Sequence, residues 1–256
     1  MKRLALPMLF LAALLRAEEP TAAAVRSIAT APVGVTDVGY LDLELGGSQY
    51  FGKDGSREGG MNAQLDLGLS SWLDLRIGWT GHTWWQAEGR QEEGPGDPYI
   101  GGQLLLASQD KAGLGLGLAY SHLLPRGDAD KGLSSGFHED TLLLQVGRSL
   151  GRWALDANLG IHRTKNPETL QRVNQKVGSF AITYAPANKW NLTLDTHGVA
   201  KSELGDRELG SILALGHDLG ERLKVDLSVE RGWAQASPRF AFNAGLIYRI
   251  GKIWGK

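Results

Sequence analysis

The chain of 256 residues has 35 Gly, about twice the average share of roughly 7%, with 42% hydrophobic residues, 21% charged residues and no Cys. A net charge of -1 leaves no basic footprint for nucleic acid, and the lack of Cys excludes disulfide scaffolds, cysteine nucleophiles and thiolate metal sites. Outside residues 4–15 no apolar stretch approaches the roughly 20 residues of a membrane helix, which excludes a helical membrane bundle.

Met1-Lys2-Arg3, the apolar run Leu4 to Leu15 and the charged Arg16-Ala17-Glu18-Glu19 form the pattern of a secretory signal peptide, expected over 1–17 with cleavage after Ala17. Residues 18–36, rich in Ala, Thr and Pro, read as a periplasmic N-terminal linker.

From Asp37 onward the period is two. Leu223-Lys224-Val225-Asp226-Leu227-Ser228-Val229-Glu230 has one aliphatic and one polar face, and segments 63–69, 73–79 and 155–161 alternate nearly as cleanly. The same template predicts strands over 37–46, 61–70, 72–81, 98–107, 112–122, 140–149, 152–162, 176–185, 189–198, 207–217, 222–231 and 239–250. Ile212 and Leu105 interrupt the polar faces of two of them. The connections alternate: long ones near 47–60, 82–97, 123–139, 163–175, 199–206 and 232–238, and short turns between them. One ragged rim and one tight rim are what an up-and-down transmembrane barrel has. Trp72, Trp153 and Trp190 follow short turns and would form an interfacial girdle, although Trp72 has the opposite parity to Leu73, Leu75 and Ile77. The expected fold is an all-β, up-and-down antiparallel transmembrane barrel of about 12 strands over 37–250, with a short C-terminal tail at 251–256.

A soluble barrel would show the same alternation with its apolar face turned inward. Twelve strands, however, enclose more lumen than the roughly eight whose side chains fill the interior. With the apolar face toward lipid, the polar parity lines the lumen. It carries Asp42, Glu44, Gln64, Asp66, Asp74, Arg76, Asp156, Asn158, Asp195, Lys224, Asp226, Glu230 and Arg249. Acids outnumber bases, so an open pore would disfavour anions; in the alternative, Arg76, Lys224 and Arg249 pair with the acids and knit the interior shut. Gly68, Gly78, Gly113, Gly115, Gly117 and Gly160 fall on the same parity, whereas Gly46-Gly47, Gly59-Gly60 and Gly94 to Gly96 mark long loops.

Catalytic candidates are sparse. His82, His122 and His138 fall near the long-loop rim, and His138-Glu139-Asp140 lies close to Ser134 and Ser135, so an activated serine is conceivable. The same residues are ordinary content of a polar loop. Three consecutive residues of an extended chain alternate in direction and make a poor metal site. Gly113 to Gly117 imitates a dinucleotide fingerprint but no helix follows. The residues therefore predict no enzyme, cofactor or metal.

Trp72-Leu73-Asp74-Leu75-Arg76-Ile77-Gly78, Gly94-Pro95-Gly96-Asp97, Leu124-Pro125-Arg126-Gly127 and Gly151-Arg152-Trp153-Ala154-Leu155-Asp156-Ala157-Asn158-Leu159-Gly160 occur in an order that resembles an outer-membrane barrel transporter family. That family carries the name MetA-pathway of phenol degradation. The resemblance covers about 37–163 and more loosely the remainder; Arg126 departs from the Thr of the family's Leu-Pro-Thr-Gly form. It implies a porin-like channel or transporter in the Gram-negative outer membrane for small molecules, hydrophobic or aromatic ones among them. Its partners would be the lipid bilayer, the solute and the barrel-assembly machinery. A closed structural or surface-binding barrel is the alternative, ahead of a rim hydrolase or a soluble periplasmic barrel. The chain ends Ile253-Trp254-Gly255-Lys256 rather than in an aromatic residue, so Tyr248, Ile250 or Trp254 would carry the assembly signal.

Overall fold

The structure, a computed structural model, describes residues 29–255. The expected signal peptide lies outside them. Among the described residues fourteen strands follow one another: β1 (Tyr40–Phe51), β2 (Arg57–Ser70), β3 (Leu73–Trp79), β4 (His82–Ala87), β5 (Arg90–Pro95), β6 (Pro98–Ala107), β7 (Gly115–Leu123), β8 (Glu139–Leu150), β9 (Trp153–Lys165), β10 (Arg172–Ala187), β11 (Trp190–Val199), β12 (Glu208–Asp218), β13 (Leu223–Gly232) and β14 (Phe240–Lys252). All pair antiparallel, and β1 pairs with both β2 and β14, so the wall closes on itself, and only the short β5, paired with β4 alone, keeps a free edge at the long-loop rim. β3 with β4, and β5 with β6, are two wall strands each broken once, which makes a closed barrel of 12 strands. The breaks face each other: Thr80 N donates to Asp97 O and Gly96 N to Gly81 O. Gly81 has φ +71°, and a Cβ there would collide with the Met61 carbonyl, so this kink requires glycine.

Burial settles which side faces lipid. Leu159 is 67% exposed, Leu227 65% and Phe242 53%, whereas Asp74 is 1% exposed, Gln103 1% and Gln145 0%. Apolar side chains outside and polar side chains inside are the inverse of a water-soluble barrel and the requirement of a membrane-spanning one. At the short-turn rim, outward rings pair across strands: Trp153 with Tyr184 at 4.5 Å and Trp190 with His217 at 4.1 Å between centroids. Trp72 lies in the turn before β3, next to the register shift between Gly68 and Ser70, which takes it out of the alternation of β3.

Several expected loops are strands. β1 and β2 stay paired out to Phe51 and Arg57, leaving only 52–56 as loop. Gly46, Gly47, Gly59 and Gly60 therefore sit in the wall, because backbone pairing needs no side chain. At Gly59 the bare backbone admits the Trp84 ring. Residues 82–95 form the hairpin β4–β5, turned at Glu88 and Gly89 with φ of 51° and 77°. The loop expected over 163–175 shrinks to 166–171. In the turn before β7 a short helix α1 (Gln109–Ala112) forms, and Gly113 caps it at φ +75° instead of facing the lumen.

Candidate functional site: the lumen and the segment that crosses it

All nine residues expected to line the solute path, Asp66, Asp74, Arg76, Asp156, Asn158, Asp195, Lys224, Asp226 and Glu230, point into the barrel, buried or half-buried, on the parity opposite the exposed aliphatic residues. The chain itself is in the lumen with them. Residues 29–36, expected as the end of a linker, run inside the barrel.

From the short-turn rim inward, Asp37 meets Arg249 Nη1 at 2.8 Å and Gly39 N donates to Gly68 O at 2.8 Å. Thr36 N donates to Asp74 Oδ2 (3.3 Å) and Val33 N to Asp156 Oδ1 (3.4 Å). Pro32 O accepts from Gln103 Nε2 at 2.9 Å, and Ala31 O from Gln145 Nε2 at 3.4 Å. At the far wall Thr30 gives its N–H to Asp195 Oδ2 (2.7 Å) and its hydroxyl to Asp195 Oδ1 (2.9 Å). Backbone groups removed from water need partners. Here side chains of β3, β6, β8, β9 and β11 supply them in place of a neighbouring strand.

The wall is thinned where the segment passes. A Cβ on Gly115 would stand 3.0 Å from Val33 Cγ1, and one on Gly147 3.1 Å from Val33 Cγ2; a Cβ on Gly68 would collide with the Thr36 and Asp37 carbonyls. Inner-face glycine therefore has a local use that is absent at Gly113: it seats Val33 and lets the segment leave the lumen beside β2.

Below the segment Arg76 and Arg249 are both paired with carboxylates. Arg76 bridges Asp74 (3.1 Å) and Asp66 (3.3 Å) and also donates to Gln103 Oε1. Gln64 Nε2 donates to Asp66 (2.8 Å), and Tyr99 OH to Gln64 Oε1 (2.6 Å). Arg249 binds Asp42 through Nε (2.9 Å) and Nη2 (3.0 Å). These contacts surround an inner cavity of about 730 Å³ that Lys224 and Glu44 also line. Above the segment an outer cavity of about 940 Å³ is lined by Ala29, Glu58, His197, Glu208 and Glu230, with His197 Nε2 at 3.4 Å from Glu230. Asp226 is buried on the inner face of β13. Asn158 is buried with both amide atoms lacking hydrogen-bond partners, and Gln145 Oε1 is likewise unpaired. The lumen wall thus keeps polar capacity beyond what the segment uses.

Loop 124–138 narrows the outer mouth. Asp97 accepts the amides of Arg126 and Gly127, both at 2.7 Å, joining two of the motifs noted in the sequence. Trp85 Nε1 donates to Lys131 O (2.7 Å), and Leu133 is buried over Gly94. In loop 52–56 the Ser56 hydroxyl and amide hold the Asp54 carboxyl below the usual carboxylate range, keeping a negative charge at this mouth.

The histidine candidates do not assemble a nucleophile. Ser134 Oγ accepts from Gly136 N and Ser135 Oγ from Phe137 N, each within its own turn. His138 Nδ1 lies 3.2 Å from His122 Nε2, while Asp140 accepts from His122 and Tyr120. His82 is 3.6 Å from Glu93. His138 and Asp140 point outward and Glu139 inward toward His162 (3.4 Å), the alternation expected of three consecutive residues on an extended chain.

Sequence reasoning missed Thr30, Val33 and Thr36, together with Gln103 and Gln145. The inner-face glycines of β7 were their visible trace.

Residues 20–250 match the family described as "Putative MetA-pathway of phenol degradation". No curated protein matches the chain by sequence. Among solved structures, an outer membrane channel from Pseudomonas putida F1 superposes with a TM-score of 0.68 at 12% identity, over 85% of this chain and 98% of that one. The NanC porin gives 0.60 at 7% identity, over 81% and 100%. The KdgM porin, solved with oligogalacturonate, gives 0.52 at 9% identity, over 81% and 99%. These likenesses are of fold.

Proposed function

The chain belongs to the MetA-pathway of phenol degradation family, and from that premise we propose that it is a passive outer-membrane channel for small molecules, closed at mid-lumen by its own residues 29–36. One observation carries this reading: a polar lumen with a cavity on either side is interrupted by a segment held through scattered hydrogen bonds to side chains and not by a strand ladder. Such bonds are worth about 0.5–3 kcal/mol each, so the segment can leave while the closed strand ladder stays intact. Lumen residues Asp66, Asp74, Arg76, Asp156, Asn158, Asp195, Lys224, Asp226 and Glu230 would form the solute path. Small neutral or apolar solutes, aromatic ones included, agree with the family's description and with a lumen in which Arg76 and Arg249 are each paired with carboxylates. Ser134 and Ser135 are engaged within their own turns and His138 meets His122, which supports a channel over a hydrolase. Export through a signal peptide over 1–17 and insertion by the barrel-assembly machinery complete the proposal.

The absence of native Cys permits a clean test. In V33C/G115C the two Cβ atoms would lie about 3.3 Å apart, near the ~3.5–4.5 Å of a disulfide. Liposomes carrying the oxidised protein are expected to swell slowly in small neutral solutes, with reduction restoring the wild-type rate. Equal rates before and after reduction would show that the segment need not move. Wild-type impermeability to every solute would favour a closed structural barrel.

A further inference from the structure

The lipid-facing wall of β9 and β10 changes character toward the long-loop rim. On β9 the exposed parity runs Leu159, Ile161, Arg163, Lys165; on β10 the parity of exposed Phe180 continues through Lys176 and Arg172. The register sets Lys165 beside Arg172, Arg163 beside Asn174 and Lys176 beside Ile161. Four cations thus occupy two adjacent strands, spaced ~4.8 Å apart, within a height of about 13 Å. Exposed Leu142, Leu159 and Phe180 lie directly beneath.

Acidic compensation on this wall is slight. Strands β7 to β10 contain three carboxylates, and the loop joining β9 to β10 adds exposed Glu168. Glu139 and Asp156 face the lumen. Asp140 faces out beside Arg163 and is one counter-charge against four cations, while it also accepts from Tyr120 OH (2.6 Å) and His122 Nδ1 (2.8 Å). Among the described residues, Arg163, Lys165, Arg172 and Lys176 form no ion pair; Arg163 Nε donates to Asn174 Oδ1 (2.8 Å) and Lys165 Nζ lies 5.7 Å from the Phe137 ring. The lumen is the reverse, since Arg76 and Arg249 each hold two carboxylates. Like charges this close repel unless a counter-charge sits among them, and on a lipid-facing wall at headgroup height the available counter-charge is the headgroup itself. A guanidinium grips phosphate in two directions, and a lysine stem can follow the aliphatic wall and lift its charge to the interface.

We propose that this wall binds a phosphorylated glycolipid of the outer leaflet, its phosphates among Arg163, Lys165, Arg172 and Lys176 and its acyl chains along Leu159, Ile161 and Phe180. The proposal rests on the outer-membrane reading with long loops outside, but not on solute passage, so lipid binding and conductance can fail separately. The test is the melting temperature of the detergent-solubilised mature protein, read as loss of the compact band in unheated gels, with bisphosphorylated lipid A, its dephosphorylated form or inorganic phosphate added. Bisphosphorylated lipid A is expected to raise the wild-type value by several degrees, and the other two to leave it unchanged. The shift should vanish in R163Q/K165Q/R172Q/K176Q and persist in R57Q/R231Q, which removes rim cations from β2 and β13. Should the quadruple variant fail to assemble, K165Q/K176Q is expected to lose about half of the shift. An unresponsive wild type, an equal shift with inorganic phosphate, or a full shift in whichever cation variant assembles would overturn the proposal.

Discussion

Asp195 is 4% exposed and spends both carboxylate oxygens on Thr30. Asp195→Ala removes both acceptors; at about 1.5–3 kcal/mol for a hydrogen bond to a charged group, losing even one raises the displaced population roughly tenfold or more. Single-channel recordings are expected to show a higher open probability for Asp195→Ala and an intermediate one for Asp195→Asn, which keeps one acceptor oxygen. Unchanged dwell times in both would mean that Thr30 does not anchor the segment. The inward direction of Asp195 was legible because period two assigns every second residue to one face. What it binds was not. Thr30 is 165 positions away and Val33 is 123 from Asp156, and no local pattern encodes so distant a partner. Gly115 hinted that something approaches the wall; that the visitor is Val33 depends on a path through the lumen that only the closed barrel defines.

At the scale of elements, alternation located all twelve wall strands, since a half-buried strand repeats its hydrophobic choice every two residues. It failed at their outer ends. Gly, charge and Pro at 46–60 and 82–97 record contact with water or rings above the apolar belt, yet the backbone there continues to pair as β1–β2 and β4–β5. Loop 124–138 is irregular as expected, but it folds back onto the β4–β5 hairpin because Asp97, 5% exposed, accepts two of its amides. Asp97→Ala would strand both donors at a cost of about 1–3 kcal/mol each and release the loop. Limited trypsin digestion of the folded barrel should then cut after Arg126 or Lys131 several times faster than in wild type, with Asp97→Asn close to wild type. Equal cleavage of all three proteins would place the hold on this loop at Trp85 and Leu133 instead.

For the whole molecule, the same alternating sequence could have closed with either face inward; exposed Leu and buried Asp and Gln decide it. That inversion makes the lumen, not a hydrophobic core, the place where sequence charge acts, and the segment changes its sign balance. While residues 29–36 are in place, Asp74, Asp156 and Asp195 spend oxygens on backbone or hydroxyl donors of the segment. Arg76 and Arg249 remain tied to their own carboxylates whether or not the segment is present. Removing it therefore exposes acids with no matching gain of base, and carboxylates in a narrow aqueous passage lower the barrier for cations relative to anions. A chain lacking residues 18–36 keeps every strand pairing and should still run as a compact band in unheated gels. In a KCl gradient across a planar bilayer its reversal potential is expected to favour potassium, and D156N/D195N in the same truncated chain should move it toward zero. Anion preference in the truncated chain would mean that Lys224, which lines the inner cavity, governs the open lumen and that the segment's acidic anchors do not line the conducting path.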